Sequence, residues 1–427
     1  MKKENLKSAI TCDLDGKVLS FSKGAENIFG YKSKDVVGKM RVSDFSDGEV
    51  VLGHVINWLD IAVKEGAWEG DTTFFDKDGN EMPCNIKITP TRDKDGNHTG
   101  YLGVTSKLKD KTADDVRLKI GFGTKLFKWM VIMRLPFLSA TFVPIFAGAA
   151  VASMLGYAVS WPWLGLTLLA GSLLHIGTNT SNDYFDHQSG TDELNYNYSN
   201  QGLNGGSRSI QMGLITPKGM ANVAVATFAL SAIAGVPLII KSGMSILWLG
   251  LAGFLSGLFY TAPPFKFSSR KGMGELLIGL NFGPLMVAGS ALVQTGQLLP
   301  EAFLAGIPIG LLIAAVVYMN EFPDHDSDKL TGKNTLIVVF GPEKARFGYV
   351  ALVASAFISI VVMALNGIFP KLTLITLISA YFGITATTTL YKHYNSRLLQ
   401  PANWGTIYLH SAAGFLFCIG IWLGTPV

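Results

Sequence analysis

Residues 300–334 read PEAFLAGIPIGLLIAAVVYMNEFPDHDSDKLTGKN, an apolar run that passes directly into an acidic one. The segment 301–320 contains a single charged residue, Glu301. As an α-helix rising about 1.5 Å per residue, it would be long enough to cross a hydrocarbon core about 30 Å thick. Asn320, Asp324 and Asp328 then recur at four-residue intervals, which places them on one face of the helix end. The stretch therefore predicts a membrane-spanning helix that ends in a polar site.

Similar apolar runs of roughly 18–25 residues recur from Met130 onward, the length that a membrane-spanning helix requires. Glycine and proline inside them are tolerated in packed membrane helices. A large soluble helical core is the alternative, but nine such runs exceed what one core needs. We therefore predict nine spans, approximately at 131–156, 161–179, 219–240, 244–262, 274–295, 301–320, 346–366, 371–391 and 405–425.

The distribution of charge divides the chain into two parts. Of 427 residues, 35 are basic and 31 acidic, and 41 of these 66 lie among the first 130 residues. We therefore expect a soluble N-terminal domain, without a cleavable signal peptide, followed by a membrane domain. The net charge of +4 is too small to indicate a nucleic-acid partner. The three cysteines lie far apart, which excludes a disulfide framework and a Cys-x-x-Cys site.

The loops indicate the orientation in the membrane. Those after the even-numbered spans hold about eleven lysines and arginines, whereas the opposite side offers only Lys241 and Lys371. Because cytoplasmic loops are enriched in these residues, we expect the even loops and the N-terminal domain to face the cytoplasm. The expected location is the cell (inner) membrane, with the lipid bilayer as a partner.

Residues 8–108 alternate β-branched or aromatic runs with turn signals such as Asp15-Gly16 and Asp95-Gly96, a pattern typical of short strands. We predict five strands, with helices between the second and the third. The sequences DLDGKVLSFSKGAENIFGYKSKDVVGK (13–39) and WEGDTTFFDKDGNEMPCNIKITPTRDKDGNHTGYLGV (68–104) resemble a PAS domain. The resemblance implies an α+β domain that binds a small ligand, senses redox or light, or dimerises.

The ligand of this domain stays unassigned. Cys12 and Cys84 lack the sequence context of flavin photosensors, and His54 is an alternative haem ligand, although a lone histidine is more often structural. Residues 109–129 are first charged and then amphipathic, which predicts a helical linker lying along the membrane surface.

A second acidic stretch follows the second span, where residues 178–195 read TNTSNDYFDHQSGTDELN. Asn182 and Asp186 share a helix face, and Gly190 is a predicted helix stop after which Asp192 returns beside them. Two acidic clusters at one membrane face are costly unless positive charge lies between them. Magnesium usually binds one or two carboxylates together with substrate phosphates. We therefore predict a magnesium–diphosphate site with the ligands Asn182, Asp186, Asp192, Asn320, Asp324 and Asp328.

Basic residues in the same loops are candidates for the remaining phosphate oxygens. Each of them is alternatively a simple membrane anchor. Asp183 is a spare carboxylate in the first acidic stretch, although its helix phase also allows it to face away. The predicted diphosphate-binding residues are Arg208, Lys266, Arg270 and Lys333, together with Tyr260 at the proline-rich end of the fourth span.

Four segments resemble the UbiA superfamily of intramembrane prenyltransferases: NDYFDHQSGTD (182–192), YTAPPFKFSSRKGMGEL (260–276), NFGPLMVAGSALVQTG (281–296) and NEFPDHDSDKLTGKNTLIVVFG (320–341). The resemblance covers residues 130–427. It implies a multi-pass all-α membrane domain of nine helices around a central cavity, two magnesium ions and a polyprenyl diphosphate donor. Within the superfamily, the spacing from Asn182 to Asp192 resembles that of the 1,4-dihydroxy-2-naphthoate polyprenyltransferases.

The resemblance implies that Asp186 and Asp324 take part in ionising the allylic donor, after which an aromatic acceptor attacks the prenyl cation. In this reaction Asp183 is a candidate for deprotonating the acceptor hydroxyl. Other acceptors remain open at this stage: homogentisate, 4-hydroxybenzoate, a tetrapyrrole or a glycerol phosphate ether lipid. A PAS-gated receptor with a non-catalytic body is a further alternative, but it predicts a broken acidic cluster. A transporter is disfavoured because the acids lie at helix ends and not in the middle of a span.

Overall fold

The computed structural model describes residues 7–194 and 206–424. The chain forms two compact units. The first unit comprises residues up to 132 together with 208–216, and the second comprises 133–207 and 217–427. The short segment 208–216 therefore packs with the N-terminal residues.

The first unit is built on a five-stranded antiparallel sheet in the order β2-β1-β5-β4-β3. All five strands occur where the sequence predicts them. Side chains of β1 alternate between exposure and burial, as a half-buried strand requires. The turn between β3 and β4 is held by Asp76, whose Oδ1 accepts the backbone N–H groups of Asp78 and Asn80 at 2.9 Å. The strands are β1 Lys7–Asp13, β2 Val18–Phe21, β3 Trp68–Phe75, β4 Glu81–Arg92 and β5 His98–Lys107.

Helices cover the sheet and enclose two apolar clusters. One is aromatic and includes Phe29 and Phe45, and the other is built around the stacked rings of Trp58 and Trp68, 4.3 Å apart. The helices are α1 Lys23–Phe29, α2 Ser33–Val36 and a stretch that begins at Gly48, passes through a π turn at Val51–Val55 and ends as α3 Ile56–Glu65.

The predicted linker is attached by ion pairs to strand β3 and to the helical stretch that begins at Gly48. Lys111 Nζ lies 2.6 Å from Asp71 Oδ2, and Lys128 Nζ lies 2.7 Å from Glu49 Oε1. It contains two helices, α4 Ala113–Val116 and α5 Phe122–Ile132. Phe122 and the other apolar side chains on the exposed face of α5 remain uncovered within the unit.

The second unit is helical. Its helices are α6 Ser139–Met154, α7 Trp161–Ser189, α8 Thr191–Leu194, α9 Pro217–Ser242, α10 Met244–Leu258, α11 Met273–Leu280, α12 Met286–Thr295, α13 Pro300–Thr331, α14 Leu336–Phe340, α15 Pro342–Leu365, α16 Ala380–His393 and α17 Gln400–Leu423. A π turn at Asn281–Leu285 joins α11 to α12, and 3₁₀ turns at Leu135–Leu138 and Lys371–Ser379 precede α6 and α16.

Each of the nine predicted spans contains a helix, but seven of these, among the described residues, are both long and apolar enough to cross a membrane. The two others differ for identifiable reasons. Helix α10 has only 15 residues because it ends at Leu258, before Tyr260. Helix α7 has 29 residues, but its glycine, serine and histidine residues lower its mean hydropathy. The predicted count of nine membrane spans is therefore not confirmed exactly, because seven of the described helices meet both requirements.

The two acid-bearing helices, α7 and α13, are long and end in the same way. They have 29 and 32 residues, so each extends several turns beyond the roughly 20 residues that cross a bilayer. Gly190 and Gly332 end them with φ of 76°, in the left-handed conformation that glycine adopts without steric cost. The helix stop predicted at Gly190 is confirmed. The acids therefore lie in the final turns, beyond the apolar part of each helix.

Glycines set how α11 and α12 pack on α13. A β-carbon at Gly310 would lie 2.3 Å from the carbonyl oxygen of Gly279, and one at Gly306 would lie 2.4 Å from Pro284 Cα. Only hydrogen atoms on these α-carbons allow the backbones to approach so closely. This contact fixes α11 against the part of α13 that leads to its acidic end.

Candidate active site

The second unit contains a cavity of about 750 Å³, enclosed mainly by α7, α9, α10, α11 and α13. The acidic ends of α7 and α13 line one part of it, and mostly apolar residues line the rest, among them Leu174, Phe228 and Ile246. The two acidic stretches, which are far apart in sequence, thus meet at one site. This was the central expectation from their spacing.

The end of α7 and the segment after it form the first acidic group. Asp186 and Asp192 line the cavity and are 6% and 3% exposed. Asp183 is also buried, but its carboxylate accepts the backbone N–H of Ser207 at 3.2 Å and lies 3.8 Å from Arg134. A β-carbon on Gly206 would lie 2.7 Å from Asp183 Oδ1, so only glycine fits there. Asp183 is not among the described cavity-lining residues, and its contact with Ser207 holds that residue against α7.

The end of α13 forms the second acidic group. Asn320, Asp324 and Asp328 all line the cavity, as their four-residue spacing predicts. Asn403 of α17 orients Asn320, because its Nδ2 donates to Asn320 Oδ1 at 2.8 Å. Asn182 is oriented in a similar way by the hydroxyl of Thr261, which donates to Asn182 Oδ1. Both asparagines are therefore held in place by neighbouring side chains.

Lys333 joins the two acidic groups. Its Nζ lies 2.6 Å from Asp186 Oδ1, and its backbone N–H donates to the carbonyl of Asp328 at 2.8 Å. Burial disfavours the charged amine, but the carboxylates of Asp186 and Asp328 outweigh this and raise the pKa of Lys333. Lys333 is therefore a buried cation within an acidic cavity wall.

The other predicted diphosphate ligands are placed differently. Tyr260 lines the cavity. Lys266 and Arg270 are exposed and are absent from the cavity-lining residues, and Arg270 Nε donates to the carbonyl of Phe265 at 2.6 Å. Arg208 belongs to the first unit. Of the four predicted cations, Lys333 alone is part of the cavity wall among the described residues.

The sequence analysis missed three ionisable residues of the cavity wall, namely Arg134, His175 and Glu321. Arg134 lies just before the 3₁₀ turn that leads to α6, and it faces Asp183. His175 lies in the middle of α7, where its Nδ1 is 2.8 Å from Thr141 Oγ1. Glu321 directly follows Asn320 and is 9% exposed. Arg134 could have been singled out from the sequence, because it is a lone arginine before an apolar run. Glu321 could not, because it lies outside the four-residue pattern.

The acids fit a metal that is bound together with a substrate. Among residues 7–194 and 206–424, no three His, Cys, Asp or Glu side chains cluster closely enough to hold a metal ion. Magnesium typically uses one or two carboxylates and takes its other ligands from water and substrate phosphates. Asp186, Asp192, Asp324 and Asp328 around one cavity provide such carboxylates.

The N-terminal unit offers no comparable site at the residues considered from sequence. His54 Nε2 donates to the carbonyl of Lys119 at 3.2 Å, and its ring lies beside that of Trp58, with the two centroids 6.2 Å apart. Burial raises the pKa of the Cys12 and Cys84 thiols to about 11, so both are protonated near neutral pH and are weak nucleophiles. All three cysteines are buried and free.

Comparison with known proteins follows the same two-part division. Residues 141–419 match the UbiA prenyltransferase family, and residues 7–108 match a PAS domain. A 1,4-dihydroxy-2-naphthoate octaprenyltransferase of Bacillus subtilis (strain 168) is 26% identical over 285 residues, which cover 66% of this chain and 88% of that protein. The protein of the same name from Escherichia coli (strain K12) is 28% identical over 306 residues, covering 69% and 95%.

A solved structure of a UbiA homologue from Archaeoglobus fulgidus, bound to GPP and Mg2+, is 21% identical to this chain. The match covers 68% of this chain and 99% of that one, with a TM-score of 0.49. The family match alone spans more than half of the 427 residues. The chain therefore belongs to the UbiA prenyltransferase family, as a multi-pass membrane prenyltransferase with an N-terminal PAS domain.

Proposed function

We propose that this protein transfers a polyprenyl group from an allylic polyprenyl diphosphate to an aromatic acceptor, with 1,4-dihydroxy-2-naphthoate as the favoured acceptor. The observation that carries the proposal is that four aspartates from α7, the segment after it and α13 line one cavity that continues between apolar helices. The polar part matches a diphosphate with its metal ions, and the apolar part matches an isoprenoid chain.

The acidic residues have a binding role in this reaction. Asp186, Asp192, Asp324 and Asp328 would hold two magnesium ions against the diphosphate, with Asn182 and Asn320 as further oxygen ligands. When bound, magnesium withdraws electron density from the diphosphate and stabilises it as a leaving group. Lys333 supplies a further positive charge at the same place.

The apolar part of the cavity protects the prenyl cation from water. The allylic C–O bond breaks with its electron pair going to the diphosphate, and the aromatic ring forms a C–C bond to the resulting cation. Apolar residues such as Leu174 and Phe228 exclude water, which would otherwise trap that cation. With a dihydroxynaphthoate acceptor, the ring carbon loses carbon dioxide and regains aromaticity after the transfer.

The favoured acceptor follows from the two relatives from Bacillus subtilis and Escherichia coli, both named 1,4-dihydroxy-2-naphthoate octaprenyltransferases. Such a reaction belongs to menaquinone biosynthesis. The decisive experiment incubates purified protein with magnesium, a polyprenyl diphosphate and one of several aromatic acceptors, and identifies products by mass. Prenylated naphthoquinol only with the dihydroxynaphthoate supports the proposal. Product with another acceptor alone would replace the proposed acceptor, and no product with any acceptor would contradict transferase function.

The proposal also covers the orientation of the protein in the membrane and the role of its PAS domain. The excess of basic residues in the even loops supports an orientation in the cell (inner) membrane in which the active site and the N-terminal domain face the cytoplasm.

Regulation of the transferase by the PAS domain is supported by the packing of residues 208–216 within the first unit. This segment directly follows Ser207, which contacts Asp183. Dimer formation through the PAS domain is also part of the proposal, and size analysis of the purified protein tests it.

A further inference from the structure

A second polar patch lines the cavity beside the aspartates. It contains Glu321 of α13, Ser268 in the segment before α11, and Tyr260. Glu321 Oε2 and Ser268 Oγ are buried and have no hydrogen-bond partner among the residues that the structure describes. A buried polar atom without a partner loses its hydration without compensation, so such atoms are rare in native proteins. Two of them on one cavity wall indicate a ligand that supplies the missing hydrogen bonds.

The patch is assembled by short contacts between three segments. Ser268 donates its backbone N–H to the carbonyl of Tyr260 at 2.8 Å. Gly274 lies against both, because a β-carbon there would be 3.2 Å from Ser268 Cα and 3.3 Å from Tyr260 Oη. Glu275, the next residue, lies close enough to Glu321 for their carboxyl groups to interact.

Glu275 is itself fixed. Its Oε1 accepts the backbone N–H of Leu336 at 3.3 Å, at the start of α14. The close packing of Gly279 against Gly310 sets the position of α11 along α13 and so brings Glu275 opposite Glu321. Glu321 therefore lines the cavity beside an anchored Glu275, and its Oε2 is left without a hydrogen-bond partner among the described residues.

The chemistry of the patch selects the ligand. A diphosphate is an anion without hydrogen-bond donors, so it cannot supply a hydrogen bond to Glu321 Oε2 directly. A hydroxyl group on an aromatic ring donates to a carboxyl oxygen and also accepts from a serine hydroxyl. The Tyr260 ring offers an aromatic surface beside both atoms.

We propose that Glu321, Ser268 and Tyr260 form the subsite for the aromatic acceptor, in which Glu321 Oε2 and Ser268 Oγ bind ring hydroxyl groups. This inference rests on the proposed transferase function and specifies where its second substrate binds. Glu321 is a positioning residue here: it orients the ring toward the prenyl cation through a hydrogen bond.

The test measures the two substrates separately, with 1,4-dihydroxy-2-naphthoate and geranylgeranyl diphosphate as probes in the presence of magnesium. Glu321→Leu should raise the acceptor KM at least tenfold and leave the donor KM and the magnesium requirement within about twofold. Glu321→Gln keeps an accepting oxygen and should raise the acceptor KM less. Ser268→Ala should raise the acceptor KM about threefold to tenfold. Glu343→Leu, at an exposed acid, is the matched control and should change neither KM.

A readout without turnover complements the kinetics. Acceptor binding to the wild-type protein, followed by calorimetry without donor, should be weakened by Glu321→Leu, whereas binding of the donor with magnesium should not change. A changed donor KM or magnesium requirement with an unchanged acceptor KM would assign Glu321 to the diphosphate site and overturn the subsite. Unchanged constants in both Glu321→Gln and Ser268→Ala would overturn it as well. Absence of transfer by the wild-type protein would instead contradict the proposed function itself.

Discussion

Lys333 Nζ lies 2.6 Å from Asp186 Oδ1, in an ion pair between the loop after α13 and the end of α7. The lysine and aspartate side chains are 14% and 9% exposed. Since the same carboxylates that surround Lys333 raise its pKa, the amine stays charged despite its burial. The pair therefore ties together the two helix ends that carry the acids, and it places a permanent positive charge where a diphosphate would bind.

Lys333→Met should reduce both stability and donor binding. Removing one partner of a buried ion pair leaves the other charge uncompensated, which typically costs roughly 3–5 kcal/mol. We expect a lower apparent Tm in detergent and a donor KM at least tenfold higher. Lys329→Met, at an exposed lysine in the last turn of α13, is the control and should behave like the wild-type protein. Equal Tm and KM values in the two variants would show that the Lys333 pair has neither role.

Asp186→Asn and Asp324→Asn should each abolish most of the turnover. The substitution keeps the size of the side chain but removes the charge that a magnesium ion requires. Loss of one group that stabilises the leaving group typically lowers kcat by about 100-fold to 1000-fold. Asp326→Asn, at a carboxylate that is 76% exposed beside His325, should retain activity. If either variant elutes as folded protein and turns over at the wild-type rate, its aspartate does not bind a magnesium ion that the reaction requires.

The sequence predicted those features that local patterns determine. The apolar runs located the helices, and the four-residue spacing of Asn320, Asp324 and Asp328 placed them on one face. Contacts between distant segments could not be read in this way. The pairing of Lys333 with Asp186 depends on how the loop after α13 folds back. In the sequence, Lys266 and Lys333 are equally plausible phosphate ligands, but Lys266 is exposed and lies outside the cavity.

Glu321 shows the limit of a periodic pattern. It lies about 100° around the helix from Asn320, so a search for residues on the Asn320 face excludes it. The cavity nevertheless reaches it, because α11 lies close against α13 through Gly279 and Gly310. In the sequence, such close helix packing appears only as scattered glycines. Glycines also occur in turns and at helix ends, so they do not identify the contact.

Gly310→Ala should destabilise the membrane domain. The new methyl group would lie 2.3 Å from the carbonyl oxygen of Gly279, so α11 or α13 must move. Such overpacking typically costs about 1–3 kcal/mol, and we expect a lower apparent Tm in detergent. Gly165→Ala on α7 is the control, because a β-carbon there meets nothing within 4 Å. A Gly310→Ala protein as stable as Gly165→Ala would show that the close approach is not required.

Gly48→Leu tests whether the PAS domain influences the transferase through residues 208–216. Within the first unit, a β-carbon at Gly48 would lie 2.1 Å from the carbonyl oxygen of Met212 and 2.8 Å from Leu214 Cδ2. Leucine must therefore displace this segment, whose Leu214 is 4% exposed. Because the segment is joined by one peptide bond to Ser207, which donates to Asp183, we expect a donor KM several-fold higher.

The same variant should make residues 208–216 more sensitive to limited proteolysis, since an unpacked segment enters a protease site more readily. Gly121→Leu provides the matched control in the same unit, at a position where a β-carbon meets nothing within 4 Å. If Gly48→Leu accelerates cleavage but leaves the donor KM equal to that of Gly121→Leu, the packing of this segment does not control the transferase. If both the KM and the cleavage rise together, residues 208–216 couple the PAS domain to the active site.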